Sequence, residues 1–387
     1  MNLTVESARD LGPQFVDNRH RMVGQDGAFS FPLPDGSSFW FFGDTLIGRR
    51  PTLGSPWVVD GKLVDHRDMT GLGPYERMLN NSALILPAQT DLQTTGRLGG
   101  YRYLLDPEGQ LKNILPLGTD EHADFDRIWC QHGIALGRKV VLSFIQVRML
   151  TPNTTPLPIG FEIVGSGLAV ADVPQDGVGD DWSADALAGV QFTRVTGPSR
   201  EVPGAGGRRH ILWGPEEPHF GVAFLARAMD PYLYVYGTVT RGGRQSAYVA
   251  RVRAHEIARP DAYEYCASTE PVWSRRVEDA LPLFDGMPSE LSVGYNAHLG
   301  AYLAVHSLDL TGRIVARTAP QPWGPWSEPV TLWQATAGHR YPLPYPFPLI
   351  YAGKEHPYLS PDAGRTIYLT YIEFEEYFPH LVEVRLG

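Results

Sequence analysis

Five times along this chain the same short pattern recurs: a polar residue, an apolar run of strand length, a tight turn rich in Gly, Pro or Asp, and a second apolar run. The units are "GQDGAFSFPLPDGSSFWFFGD" from Gly24, "QHGIALGRKVVLSFIQV" from Gln131, "PHFGVAFLARAMDPYLYVYGT" from Pro218, "SELSVGYNAHLGAYLAVHS" from Ser289 and "EHPYLSPDAGRTIYLTYIE" from Glu355. Short apolar runs rich in aromatic and β-branched residues suit a pleated, half-buried surface. Hairpins repeating at intervals of about 65 to about 105 residues mark a modular antiparallel architecture with long, unequal loops. With 41 Gly and 33 Pro and few long segments of helical period, the expected class is all-β. Five such modules predict a five-bladed β-propeller, folded as a single domain over residues 1–387 with an insertion at about 170–210. A two-sheet sandwich is the alternative, but it would not put polar groups at five equivalent positions.

The first unit carries an acid at each end. In "LPDGSS", Pro34 pre-sets φ, Asp35 can cap the turn and Gly36 tolerates positive φ. A hairpin folding about residues 35–36 pairs positions that sum to roughly 70–71, so Asp26 faces residue 44 or 45. Cross-strand neighbours lie about 5 Å apart and diagonal ones about 7–8 Å, which brings Asp26 and Asp44 within reach of a shared ligand. Capping of the local turns "GQDG" and "FGDT" is the competing role for the two acids.

Composition narrows the partners. The balance of 33 basic to 43 acidic residues gives a net charge of −10 with no basic cluster, which argues against nucleic acid and anionic membranes. No apolar run reaches the 18 or so residues of a transmembrane helix. The opening "MNLTVESARDLGPQF" lacks a charged region followed by an apolar stretch, so the expectation is a cytoplasmic protein, or an extracellular one whose leader has been removed. Cys130 and Cys266 have no metal-type spacing and read as two buried thiols rather than a disulfide.

In a propeller, the polar residue heading each inner strand points into the central funnel: Asp26, Gln131 or His132, His219, Glu290 and His356. Residues ending the second strands, Asp44, Thr238 and His306 among them, form a neighbouring ring, with Glu290 expected opposite His306. Cleaving a glycosidic bond needs one group to protonate the leaving oxygen and another to supply or activate the nucleophile, which a pair of carboxylates can do. Asp26 and Asp44 are the best such pair; Glu290 is the third acid, able to act as acid, orient water or raise a neighbour's pKa. Three histidines on one axis also raise the idea of a metal, but no local ligand motif supports it, and sugar hydroxyls or core partners suit them better. No metal or cofactor is therefore expected. Trp40, Trp129, Trp213 and Tyr295 could stack on a sugar ring, and Asn80 and Asn81 could reach the funnel, although packing and turn formation explain each as well.

The stretch "DGAFSFPLPDGSSFWFFGDT" resembles a family of five-bladed propeller glycoside hydrolases of the endo-D-arabinanase type, formerly catalogued as a domain of unknown function. The resemblance extends through "NNSALIL", "LYVYGT", "AYVARV", "GPWSEPV" and "HPYLSPDAGRTIYLTY". It implies hydrolysis of furanosides, with D-arabinan as the expected substrate, no organic cofactor, and Asp26 and Asp44 as the catalytic pair. An oligosaccharide or polysaccharide is then the expected partner, with Trp129, His132, His219, His306 and His356 shaping the subsites. Two other readings compete: a glycoside phosphorylase, which needs a cationic phosphate pocket, and a non-catalytic carbohydrate-binding propeller. The sequence leaves the oligomeric state open.

Overall fold

A computed structural model describes residues 3–16, 20–48, 58–59, 62–63, 75–155, 159–174, 182–337, 349–374 and 376–387. The first hairpin shows how the sequence writes the fold. Strands Phe29–Pro32 and Ser38–Phe42 pair as Phe29↔Phe41 through Pro32↔Ser38, every pair obeying the same turn arithmetic. Gly36 holds the turn at φ 80, and Asp35 Oδ1 accepts the Ser37 N–H at 3.0 Å. Alternation along the strands sends Phe29, Phe31, Phe39 and Phe41 into one core and Trp40 and Phe42 into another. Both faces of the sheet are thus buried, because another sheet packs against each.

The chain is all-β and forms one domain. The first sheet runs Phe29–Pro32, Ser38–Phe42, Ser82–Leu86, Arg102–Tyr103. The second runs Asp126–Leu136, Lys139–Met149, Phe161–Asp172, Thr193–Arg194. The third is built on His219–Ala226, Tyr232–Arg241 and Arg244–Arg253, extended by Glu264–Cys266, Trp273–Ser274 and Phe284–Gly286. The fourth runs Leu291–Asn296, Ala301–Ser307, Arg313–Ala319, Val330–Gln334. In the last sheet, Ile350–Glu355, Thr366–Glu373 and Pro379–Leu386 are joined at the outer edge by the N-terminal strand Val5–Pro13. The leading strands of these sheets touch one another in chain order. The last returns to the first through Tyr351, whose hydroxyl donates to Asp26 at 2.8 Å. The apolar cores lie between neighbouring sheets: one joins the first and second, another the first and last.

Two details differ from the sequence reading. The last hairpin does not begin at Glu355: its leading strand is Ile350–Glu355, and residues Pro357–Leu359 form a single 3₁₀ turn. Pro357 has no N–H to give a ladder, so the strand ends before it. In the fourth sheet Leu291, not Glu290, pairs with His306, which leaves Glu290 just before the ladder. The described part of the insertion divides between the two ends of the molecule. Trp182, Ala184 and Leu187 pack under Phe31 and Phe39, where the Ala184 N–H donates to Asp35 Oδ2 at 2.6 Å, while Gly204 and Arg208 reach the opposite end. Cys130 and Cys266 are free and buried. Among the described residues no helix is long and apolar enough to cross a membrane.

The N-terminal strand pairs in register from Val5↔Leu386 to Pro13↔His380. At that end His380 lies between two acids, its Nδ1 3.1 Å from Asp10 Oδ2 and its Nε2 2.8 Å from Glu376 Oε2. Burial disfavours the charge, but these carboxylates outweigh it and raise the imidazole to about 9. The pair therefore stabilises the fold in full below the ordinary histidine value of 6.5, and that contribution is lost as pH rises through about 9. The thermal midpoint of the wild type should fall by several degrees across this window. His380→Gln should melt lower at pH 6 and show a flatter profile, read by circular dichroism.

Candidate active site

The two aspartates sit at the waist of the first hairpin. Beyond Asp26 and Asp44 the same two chain segments pair again, Gln25↔Thr45 and Gly24↔Leu46, in a smaller sheet completed by Tyr75–Leu79. Between the two ladders the chain bows out: Gly27 takes φ 78 and Ala28 φ 54. The Asp26 N–H donates to the Asp44 carbonyl at 3.3 Å, and the Gly43 N–H donates to the Asp26 carbonyl at 3.0 Å. A Cβ on Gly43 would lie 2.5 Å from Asp26 Oδ1, so that carboxylate rests directly on the glycine backbone. "QDG" and "FGD" are glycine-bearing because two acidic side chains share one narrow waist.

Both carboxylates are partly exposed to a cavity of about 810 Å³ at this end of the molecule, which Glu290 also lines. Their donor sets differ. Asp26 accepts from the Tyr351 hydroxyl and also faces the Tyr377 hydroxyl; Asp44 Oδ1 accepts from the Trp129 indole N–H at 3.0 Å. Burial raises Asp26 to about 6 against the pull of Tyr351, with Glu290 pushing further up and Tyr377 and Lys354 pulling down. Burial and then the charge of Asp26 raise Asp44 to about 7, opposed by Arg127 and Trp129. Glu290 is also raised by burial, against Lys354 and the Ser289 hydroxyl, which donates to its Oε2 at 2.9 Å. Lys354 is buried beneath this group and donates to the carbonyls of Gly27 and Ala352. Two acids forced together and partly desolvated resist simultaneous ionisation, so both carboxyls keep their protons to higher pH than free ones do.

The other candidates separate into cavity and core. Trp129 and His219 line the cavity, and Phe161 meets the Trp129 ring edge-on at 4.7 Å. His356 is buried against Trp40 with both nitrogens engaged, by the hydroxyls of Ser30 and Thr370. It follows the last leading strand, at the end away from the cavity, and Tyr351 occupies the position the sequence reading gave it. His306 is fully buried: its Nδ1 meets the Ser307 carbonyl at 2.7 Å, and its ring stacks on Phe284. His132 lies at a bulge among Phe29, Phe31 and Phe224, outside the cavity lining. The Asn81 amide ties Leu115 and Ile128, and Asn80 receives its backbone partner from Asn113. Trp40 and Trp213 are core residues, and Tyr295 is exposed beside Tyr302 on the fourth sheet. Among the described residues, those grouped at metal-ligand spacing are Glu373, Glu376 and His380, at the seam of the last sheet and outside the cavity lining. Tyr351, Tyr377 and Lys354 escaped the sequence reading; placing the last strand five residues earlier would have shown Tyr351 heading it.

The chain belongs to the family described as Domain of unknown function (DUF4185), whose profile matches residues 12–383. No curated protein matches it. Its fold is similar to the crystal structure of a "putative hydrolase" from Bacteroides ovatus ATCC 8483, with 16% identity, a TM-score of 0.58, and coverage of 97% of this chain and 87% of that one. A GH43_1 enzyme from Xanthomonas citri aligns at 14% identity and TM-score 0.45, covering 99% and 90% of the two chains. Zg3597, a family 117 glycoside hydrolase from the marine bacterium Zobellia galactanivorans, aligns at 8% identity and TM-score 0.48, covering 98% and 90%.

Trp129→Phe removes the donor on Asp44 and should raise the carboxyl further, whereas Tyr351→Phe should raise Asp26 instead. Carbon-13 NMR titration of the aspartate carboxyls reads both shifts. An unchanged Asp44 titration in Trp129→Phe would deny the indole its role.

Proposed function

We propose that this protein is a five-bladed β-propeller glycoside hydrolase that cleaves furanosidic linkages, acting within D-arabinan chains. The observation that carries the reading is the pair Asp26 and Asp44, fixed on one hairpin waist, open to one cavity and given unlike donors. Asp26, facing two phenol hydroxyls, is the ionised base; Asp44, with one indole donor and a higher pKa, is the acid. In a single displacement, Asp26 takes a proton from water as the water oxygen bonds to the anomeric carbon. The glycosidic bond breaks, and Asp44 delivers its proton to the leaving oxygen. Glu290 and Lys354 set the charge balance beneath them. The resemblance of "DGAFSFPLPDGSSFWFFGDT" supports the substrate, and a cavity lined from Phe374 on one side to Phe161 on the other supports attack within a chain.

Hydrolysis of a furanoside panel led by D-arabinan and L-arabinan tests this. Asp26→Asn and Asp44→Asn should each lower kcat/KM by about 10³-fold or more with the fold intact. Activity on a different sugar, lost in both variants, would keep the mechanism and move the substrate. Inactivity on every sugar, with and without phosphate, would favour a binding propeller. The pH profile should be a narrow bell, rising as Asp26 ionises near 6 and falling as Asp44 loses its proton near 7. Asp44→Asn should abolish its alkaline limb.

A further inference from the structure

One wall of the cavity holds three polar side chains, each with one atom that the protein leaves without a partner. Gln131, His219 and Thr238 all line it and are 4%, 3% and 4% exposed. Gln131 Oε1, His219 Nε2 and Thr238 Oγ1 have no hydrogen-bond partner. His219 and Thr238 are directly opposed across the first ladder of the third sheet. Gln131 comes from the second sheet, whose leading strand packs on that ladder, and it sits at the bulge that follows Cys130. Cys130 in turn backs onto Gly27, its Sγ 3.4 Å from where a Cβ there would lie, so the wall adjoins the Asp26–Asp44 waist. Buried polar atoms are rarely left unpaired, and three together beside a reactive pair mark a place that a ligand completes.

The atoms also state what the ligand must offer. The His219 ring N–H is directed at the backbone carbonyls of Pro215, Gly214 and Thr238, and burial keeps the ring neutral, which leaves the unpartnered Nε2 as an acceptor. Gln131 Oε1 is an acceptor too, and the Thr238 hydroxyl can give or take. The charged residues lining the cavity are five acids, Asp26, Asp44, Glu162, Glu216 and Glu290, against two arginines, Arg148 and Arg208. The cavity's Arg148 is occupied by Asp126 and Glu162. Such a wall welcomes O–H donors and repels anions.

We infer that Gln131, His219 and Thr238 form a subsite that binds the hydroxyls of a neutral sugar ring next to the scissile bond and rejects uronate and phosphate. The inference rests on the glycoside hydrolase reading and adds the residues and the charge class of its substrate. The subsite has Thr238 as its donor of choice and His219 and Gln131 as its acceptors.

The test is calorimetric binding of D-arabino-, L-arabino- and xylo-oligosaccharides and of a uronate-bearing oligosaccharide to the Asp44→Asn protein. Thr238→Val, His219→Phe and Gln131→Leu are then added singly, and each is also read by kcat/KM in the otherwise wild-type enzyme. Each change should weaken the neutral oligosaccharide that binds best by about tenfold or more, with an unchanged unfolding midpoint. His219→Gln, which restores an acceptor, should recover part of the loss. Affinity and kcat/KM unaltered in all three variants would overturn the subsite while leaving the hydrolase reading intact. Tighter binding of the uronate ligand, lost in the variants, would overturn its neutral character. Failure of the parent to bind any neutral sugar, with no hydrolysis by the wild type, would overturn both readings.

Discussion

The carboxylate pair at the cavity end of this molecule depends on two backbone hydrogen bonds across the waist of the first hairpin. Asp26 and Asp44 are linked through N–H and carbonyl groups that belong to neither flanking ladder. The same register runs above and below the break, so the waist cannot slip without moving every aromatic residue of the hairpin to the wrong face. Core packing thereby enforces an arrangement that electrostatics alone would oppose. Two carboxylates that repel are held together because Phe29, Phe31, Phe39 and Phe41 have only one place to go.

The protein then tempers that repulsion unevenly. Phenol hydroxyls approach Asp26 from the last sheet and an indole approaches Asp44 from the second, while Lys354 supplies a cation from below. These neighbours come from two other sheets, Tyr351, Tyr377 and Lys354 from the last and Trp129 from the second, so the charge state of the pair is a property of the assembled sheets and not of the hairpin. The unpartnered wall of Gln131, His219 and Thr238 follows the same logic, with its members on two adjacent sheets.

Much of this was legible in the chain. The turn "LPDGSS" fixes the first register, and glycines on both sides of the acid pair betray a close approach. The all-β class follows from the repeated hairpins. The last unit misled because its leading strand, "IYAGKE", holds Gly and Lys at positions that a strand pattern fills with apolar residues, while "PYL" after it looks apolar and is a 3₁₀ turn. That shift hid Tyr351 and pointed to His356 instead. His306 and Asn81 look no different in sequence from ligand-binding residues. What separates them is the backbone carbonyls they meet, that of the adjoining Ser307 for His306 and those of Leu115 and Ile128, far away in the chain, for Asn81.

The strand Val5–Pro13 closes the last sheet, and that sheet carries Tyr351 and Tyr377 to an aspartate near the other end of the chain. A ribosome therefore releases Asp26 and Asp44 hundreds of residues before it releases the groups that make them a matched pair. Until the final strands are synthesised and captured by the waiting N-terminal edge, the nascent chain holds two acids without their regulators. Completion of this cluster is thus a late event in the folding of each molecule, and its appearance reports that the last sheet has docked.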